Sequence, residues 1–196
     1  MAKAVRTFIA IELPEEVRAY LEARQEDLAR AGGDVKWVRP ENIHLTLVFL
    51  GNVPVEEIAA VAAAVREAAA PQDAAQGMEP IRLRAGGAGC FPPRGRPRVV
   101  WIAVEEPTGA LARLQAAVAE ATERFAERIE RREYKAHLTV GRVRGGRGVQ
   151  ALSEAVAALA DAKGPEFEAA EVVIFQSTLA REGPTYMPLA RVPLAK

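Results

Sequence analysis

The sequence predicts an α+β fold built from two related halves, and three observations support this. Apolar β runs alternate with amphipathic helices, yet several neighbouring strands are joined by turns too short for a crossover helix, so antiparallel or mixed sheets are expected. Both histidines of the chain stand in the same tetrapeptide, His44-Leu45-Thr46-Leu47 and His137-Leu138-Thr139-Val140, 93 residues apart. The same offset lays Phe8-Ile9-Ala10-Ile11-Glu12-Leu13-Pro14 on Trp101-Ile102-Ala103-Val104-Glu105-Glu106-Pro107 without a gap. Each copy reads as a β run, a proline at or near a helix start, an amphipathic helix and the His-Leu-Thr strand. The 196 residues are therefore expected to form a single domain of two pseudo-symmetric lobes, with motif-bearing repeats over 5–70 and 98–161.

In chain order, Arg6–Leu13 reads as the first strand. Pro14 opens a helix whose first turn is acidic, whose face is Val17, Tyr20, Leu21 and Leu28, and whose stop is Gly32-Gly33. A strand over His44–Leu50 precedes an alanine-rich packing helix over Val55–Ala69. Strands follow over Ile81–Cys90 and Val99–Glu105. Gly86-Gly87-Ala88-Gly89 lies late in the first of these with no helix after it, so it reads as a bulge or turn and not as a phosphate loop. Leu111, Leu114, Val118, Ala121 and Phe125 recur at steps of three and four, the buried stripe of a helix. The remaining elements are a strand over Ala136–Val143, a second alanine-rich helix over Val149–Ala160, and strands over Glu168–Gln176 and Tyr186–Pro193.

Composition narrows the function. Lys plus Arg and Asp plus Glu both number 26, so the chain lacks the global positive charge of a protein that coats long nucleic acid. The charge is nevertheless uneven. Between Pro80 and Val100 the only charged residues are five arginines, and between Arg131 and Arg147 six basic residues face only Glu133. Two basic clusters flanking histidine motifs favour a local site for an anionic ligand. The single cysteine, Cys90, rules out an internal disulfide and fits a reducing compartment. The first residues lead into an apolar run too short for a signal peptide or membrane span, so a cytoplasmic protein without a membrane partner is expected.

On a strand, side chains i and i+2 share a face. His44 and Thr46 should therefore point together while Leu45 and Leu47 anchor the core, and His137 and Thr139 should repeat the arrangement above Leu138 and Val140. Two halves packed about an approximate two-fold axis would set the imidazoles across a cleft with both hydroxyls beside an anion. Histidine can give and take a proton near neutrality, which suits in-line displacement at a phosphodiester: one imidazole deprotonates water, the other protonates the departing alkoxide. Arg142, five residues after His137, has the wrong parity for that face unless a bulge near Gly141 redirects it. Two histidines without a Cys, Asp or Glu at ligand spacing make a poor metal site. Ser153, Ser177 and Cys90 stand in no recognisable nucleophile setting. Phe91 and Tyr186 are candidates to stack on a base, against a plain role in the core.

At these residues the chain resembles the 2H phosphoesterase superfamily and, within it, the bacterial and archaeal RNA 2′,3′-cyclic phosphodiesterases, also called 2′-5′ RNA ligases. The marks are the paired motifs, Phe8-Ile9-Ala10-Ile11, Trp37-Val38-Arg39-Pro40-Glu41-Asn42-Ile43, Phe49-Leu50-Gly51, Pro97-Arg98-Val99-Val100-Trp101, Phe175-Gln176-Ser177-Thr178-Leu179 and the closing Tyr186 to Leu194. The resemblance implies a bilobal α+β fold with two mainly antiparallel sheets flanking a central cleft and helices outside. It implies no cofactor, no metal, and hydrolysis of a terminal 2′,3′-cyclic phosphate to a 2′-phosphate. It casts His44 as proton donor, His137 as proton acceptor, Thr46 and Thr139 as phosphate ligands, and favours Arg142 in that role. The implied partner is RNA with a cyclic phosphate end, tRNA fragments included, met by a monomer. Alternatives are reversible 2′-5′ ligation in the same cleft and a non-catalytic RNA-end binding module. The chain departs from the pattern at Ala136, where a proline usually precedes the histidine, and at Val48, where a basic residue is frequent.

Overall fold

A computed structural model describes residues 3–70, 80–180 and 183–194. These form an α+β fold: β1 (Ala4–Ile11), α1 (Glu15–Ala29), β2 (Val35–Trp37), β3 (Leu45–Pro54), α2 (Ile58–Ala68), β4 (Ile81–Phe91), β5 (Val99–Glu105), α3 (Ala110–Thr122), β6 (His137–Val143), α4 (Val149–Ala158), β7 (Lys163–Ala169), β8 (Glu171–Ala180) and β9 (Gly183–Pro193). The described strands run β7-β4-β5-β6-β3-β1-β8-β9, with β2 also on β6, and every pairing is antiparallel.

Where the sequence suggested two sheets there is one, joined at its middle by a single residue pair, Leu45 opposite Leu138. Those two leucines are themselves 93 residues apart. When equivalent positions of a repeat pair antiparallel with each other, the pseudo-two-fold axis passes between them. On one side lie β3, β1, β8 and β9; on the other lie β6, β5, β4 and β7. The helices cross over. α1 follows β1 but packs on β7 and α4 of the other side, while α3 follows β5 but packs on α2 and β3.

Most of the buried side chains form one core between the sheet and the helices, among them Ile9, Ile11, Leu45, Leu138, Val140, Ile102 and Ile174. A second, small cluster of Phe8, Ala10, Val173 and Phe175, with Tyr186 against it, lies apart from that core. β1 therefore alternates between the two, and β8 is apolar at four successive positions, Val172 to Phe175, because both of its faces are covered.

Several boundaries differ from the sequence reading for identifiable reasons. The run over Glu168–Gln176 breaks at Ala170 into the end of β7 and the start of β8. β7 begins Lys163-Gly164-Pro165, a weak strand signal, and sits at a sheet edge where proline is tolerated. Its Glu166 and Glu168 pair with Arg84 and Arg82, so part of the first basic cluster is neutralised by a neighbouring strand. Three-residue β2 is too short to show periodicity. β3 extends to Pro54, and a 3₁₀ turn over Val55–Glu57 precedes α2; another, Glu123–Phe125, closes α3. The glycine run of β4 is a bulge: its register against β5 shifts between Gly86 and Ala88, with Gly87 at φ +70°. Gly87 N–H donates to the Ala162 carbonyl and Ala88 N–H to that of Leu159, so the bulge caps the end of α4.

Candidate active site

Four side chains converge where the halves meet. Leu45 and Leu138 are fully buried on the core side, so the neighbouring residues on each strand, His44 and Thr46, His137 and Thr139, project from the opposite face. Antiparallel pairing sets the step before Leu45 against the step after Leu138, which brings each histidine across from the other half's threonine. All four are partly exposed.

The two imidazoles are held alike. His44 Nδ1 is 3.0 Å from the Asn42 carbonyl and His137 Nδ1 is 2.6 Å from the Lys135 carbonyl, in each case the residue two before the histidine. A carbonyl only accepts, so Nδ1 carries the proton and Nε2 is left free for chemistry. Asn42 is tethered in turn by its amide, which donates to the Pro184 carbonyl of β9. Tyr134 O–H donates to the Thr46 carbonyl and ties the approach to His137 onto β3. Among the described residues neither Thr46 nor Thr139 spends its hydroxyl on a protein acceptor.

Aromatic rings fix the imidazole planes. Phe8 stacks on His44 at 4.6 Å and Tyr186 meets it edge-on at 5.0 Å. Phe91 meets His137 edge-on at 5.1 Å, with Trp101 at 6.4 Å. Phe8 and Trp101 are equivalent under the 93-residue offset, so each half supports its histidine from the same strand position. The two environments still differ: burial pushes the His44 pKa down to about 4, opposed by the hydrogen bond to Asn42. The Tyr186 hydroxyl is pushed up by its burial, a shift opposed by the charges of Arg142 and Arg6.

Arg142 lies on the site face. Trp101 pairs with Thr139, Val100 with Gly141 and Val99 with Arg142, so Val140 is an extra residue and the parity of β6 is reset. β3 has the corresponding bulge at Leu47, skipped between the Ala10–Thr46 and Ile9–Val48 pairs. A glutamine holds each. Buried Gln25 of α1 donates from Nε2 to the Val140 carbonyl at 2.8 Å and to that of Val38 at 2.6 Å, and Gln115 of α3 donates to the Leu47 carbonyl at 3.3 Å. Val48, the position of the missing basic residue, packs toward the core.

Motif and parity reveal the quartet, but they do not show the two glutamines, Tyr134, or the supporting rings of Phe8 and Trp101. The offset alignment of Phe8 with Trp101 is the one sequence signal that could have found the rings. Phe91 and Tyr186 both pack against the histidines, as partly buried side chains. Cys90 is half-buried, and burial raises its thiol pKa, which argues against a nucleophile. Among the described residues no group of three His, Cys, Asp or Glu side chains could hold a metal ion, and no helix is long and apolar enough to cross a membrane.

A duplicated α+β fold with one tethered histidine and one threonine hydroxyl per half defines a two-histidine phosphoesterase class. The profile of the LigT like Phosphoesterase family matches the chain twice, over residues 11–101 and 102–186, and the protein belongs to that family. The RNA 2′,3′-cyclic phosphodiesterase of Methanothermobacter thermautotrophicus is 36% identical over 182 residues, covering 93% of this chain and 95% of the relative. That of Archaeoglobus fulgidus is 34% identical over 185 residues, covering 94% and 98%. The crystal structure of TT0787 of Thermus thermophilus superposes with a TM-score of 0.76 at 30% identity, covering 96% of this chain and 97% of that one. E. coli LigT complexed with 3′-AMP shares the fold, with a TM-score of 0.75 at 22% identity over 99% of this chain and all of that one.

Proposed function

We propose that this protein hydrolyses the 2′,3′-cyclic phosphate ends of RNA to 2′-phosphate ends, without a metal, by paired acid and base catalysis. The observation that carries the reading is the identical tethering of two imidazoles, each Nδ1 bound to a backbone carbonyl, on equivalent strands that meet at the pseudo-two-fold axis. The names of the relatives in Methanothermobacter and Archaeoglobus supply the substrate class.

In this mechanism water attacks phosphorus while His137 Nε2 takes its proton. The bond from phosphorus to O3′ breaks, and the leaving oxygen receives a proton from His44 Nε2. Thr46 and Thr139 hydroxyls and the Arg142 guanidinium face the non-bridging oxygens, where negative charge concentrates. His44 is neutral in the free protein at pH 7, since burial holds its pKa near 4. A bound phosphodiester anion favours the imidazolium and raises that pKa, so substrate itself loads the acid. Residues 1–196 act as one catalytic unit of the two repeats, a cytoplasmic monomer acting on RNA ends that include tRNA fragments.

The test is incubation with a cyclic-phosphate-ended oligoribonucleotide in EDTA, with the product's phosphate position mapped. A 2′-phosphate product is expected, and His44→Ala and His137→Ala should each lower kcat by roughly 10²–10⁴-fold. No turnover in EDTA, or unchanged turnover in both variants, refutes the proposal.

A further inference from the structure

The pseudo-symmetry that pairs the histidines is broken at one position on the site face. Phe49 and Arg142 each stand five residues after their histidine and beyond equivalent bulges at Leu47 and Val140. Phe49 pairs across strands with Phe8, which stacks on His44, so Phe49 shares the histidine's face. Its ring centre is 6.1 Å from that of Phe8, yet Phe49 is 64% exposed. An exposed phenyl ring bordering a catalytic imidazole is apolar surface that water covers poorly.

The surroundings point to what covers it. Next along β1 and β3 come Arg6 opposite Asn52, which line a cavity of about 650 Å³ together with Lys3, Arg128, Gln176 and Thr178. Cations and hydrogen-bonding side chains beyond an aromatic platform are what a single RNA strand needs: charges for phosphates and a flat apolar face for a base. Across the axis the equivalent position is the guanidinium of Arg142, suited to an anion and not to a base next to a neutral imidazole. The two sides of the site thus differ in the part of a nucleotide each can take.

We propose that Phe49 is the stacking platform for the base of the terminal nucleotide, so that the ribose lies on the His44 side and the phosphate toward Arg142. This rests on the RNA-end reading above and adds a direction to it. The base on the His44 side places O3′ next to His44, which gives the symmetric dyad a donor and an acceptor.

Binding and turnover are read separately. A short 5′-labelled oligoribonucleotide ending in a 3′-phosphate, and the same RNA with an abasic terminal residue, are titrated by fluorescence anisotropy. Phe49→Ala should weaken the intact RNA about tenfold and the abasic RNA less than twofold, with Phe49→Tyr restoring wild-type affinity. Equal weakening of both RNAs, or no weakening, overturns the proposal. So does a shift in sedimentation of Phe49→Ala with RNA affinity intact, since Phe49 would then cover a second copy of the chain. Wild-type hydrolysis of the cyclic-phosphate form is measured in parallel: its absence refutes the reaction, while the binding series still decides the base site.

Discussion

Gln25 offers the sharpest test of how the fold reaches the site. Its side chain is 7% exposed, and its amide is the buried group that joins the carbonyls of Val38 and Val140. Val140 is the extra residue of the β6 bulge, and without that residue Arg142 would turn to the core side. Gln25→Met keeps side-chain length and volume but removes both donors. Two net hydrogen bonds of about 1 kcal/mol each give a loss of about 2 kcal/mol. For a chain of this length that corresponds to a fall in Tm of about 4–8 °C. The Val140 carbonyl still accepts from Val38 N–H, so the sheet should stay folded while the bulge loosens. Small displacements of a charge-stabilising group cost large factors in rate, and kcat/KM on a cyclic-phosphate RNA should fall about tenfold or more. Thermal unfolding followed by circular dichroism, with steady-state kinetics on the same preparations, checks both. Gln115→Met, which removes one longer and less buried bond, should cost less than half as much Tm. A Tm loss under about 1 °C with unchanged kinetics would show that the strands alone hold the bulge.

Further expectations concern His44 and Trp101. The native pKa of His44 lies near 4, below its usual 6.5, so between those values the unfolded chain binds a proton that the native one refuses. This contribution to stability is complete above about pH 6.5 and is lost as pH falls toward 4, by at most about 1.4 kcal/mol per unit. Melting curves of wild type and His44→Gln should therefore converge on acidification, and parallel curves would exclude the effect. The acid limb of kcat/KM should fall near pH 4, and that of kcat, which reports the substrate-bound state, at higher pH. Coincident limbs would mean that substrate does not raise the His44 pKa. Gly89 lies directly against the Trp101 indole, where a methyl group would overlap the ring. Gly89→Ala should destabilise by about 1–3 kcal/mol and lower activity through the displaced support of His137, read by melting and kinetics; wild-type values in both would show that the ring adapts.

The histidines are legible because they are scarce and repeated, and the threonines because strand parity is a period of two. Arg142 shows where that logic stops. A bulge breaks parity, and only the register of β6 against β5 reveals which residue is skipped; the glycine at 141 hints at the place, not at the outcome. Gln25 has no signal at all. Within α1 it reads as one more polar residue, and its partners lie 13 and 115 residues away. β7 is hidden by Gly164 and Pro165, whose tolerance depends on being at an edge. Phe49 reads in the sequence as one mark of a family-like block and nothing more, since exposure is a property of the folded face.

The Leu45–Leu138 pair at the axis has a consequence for the asymmetry of the chemistry. Two separate copies of a single repeat, meeting about the same axis, would be obliged to carry identical residues on both sides of the substrate, and every substitution would appear twice. With both repeats on one chain, position 49 can be phenylalanine while position 142 is arginine. Covalent continuity between the halves lets a symmetric scaffold hold a ligand whose two ends differ.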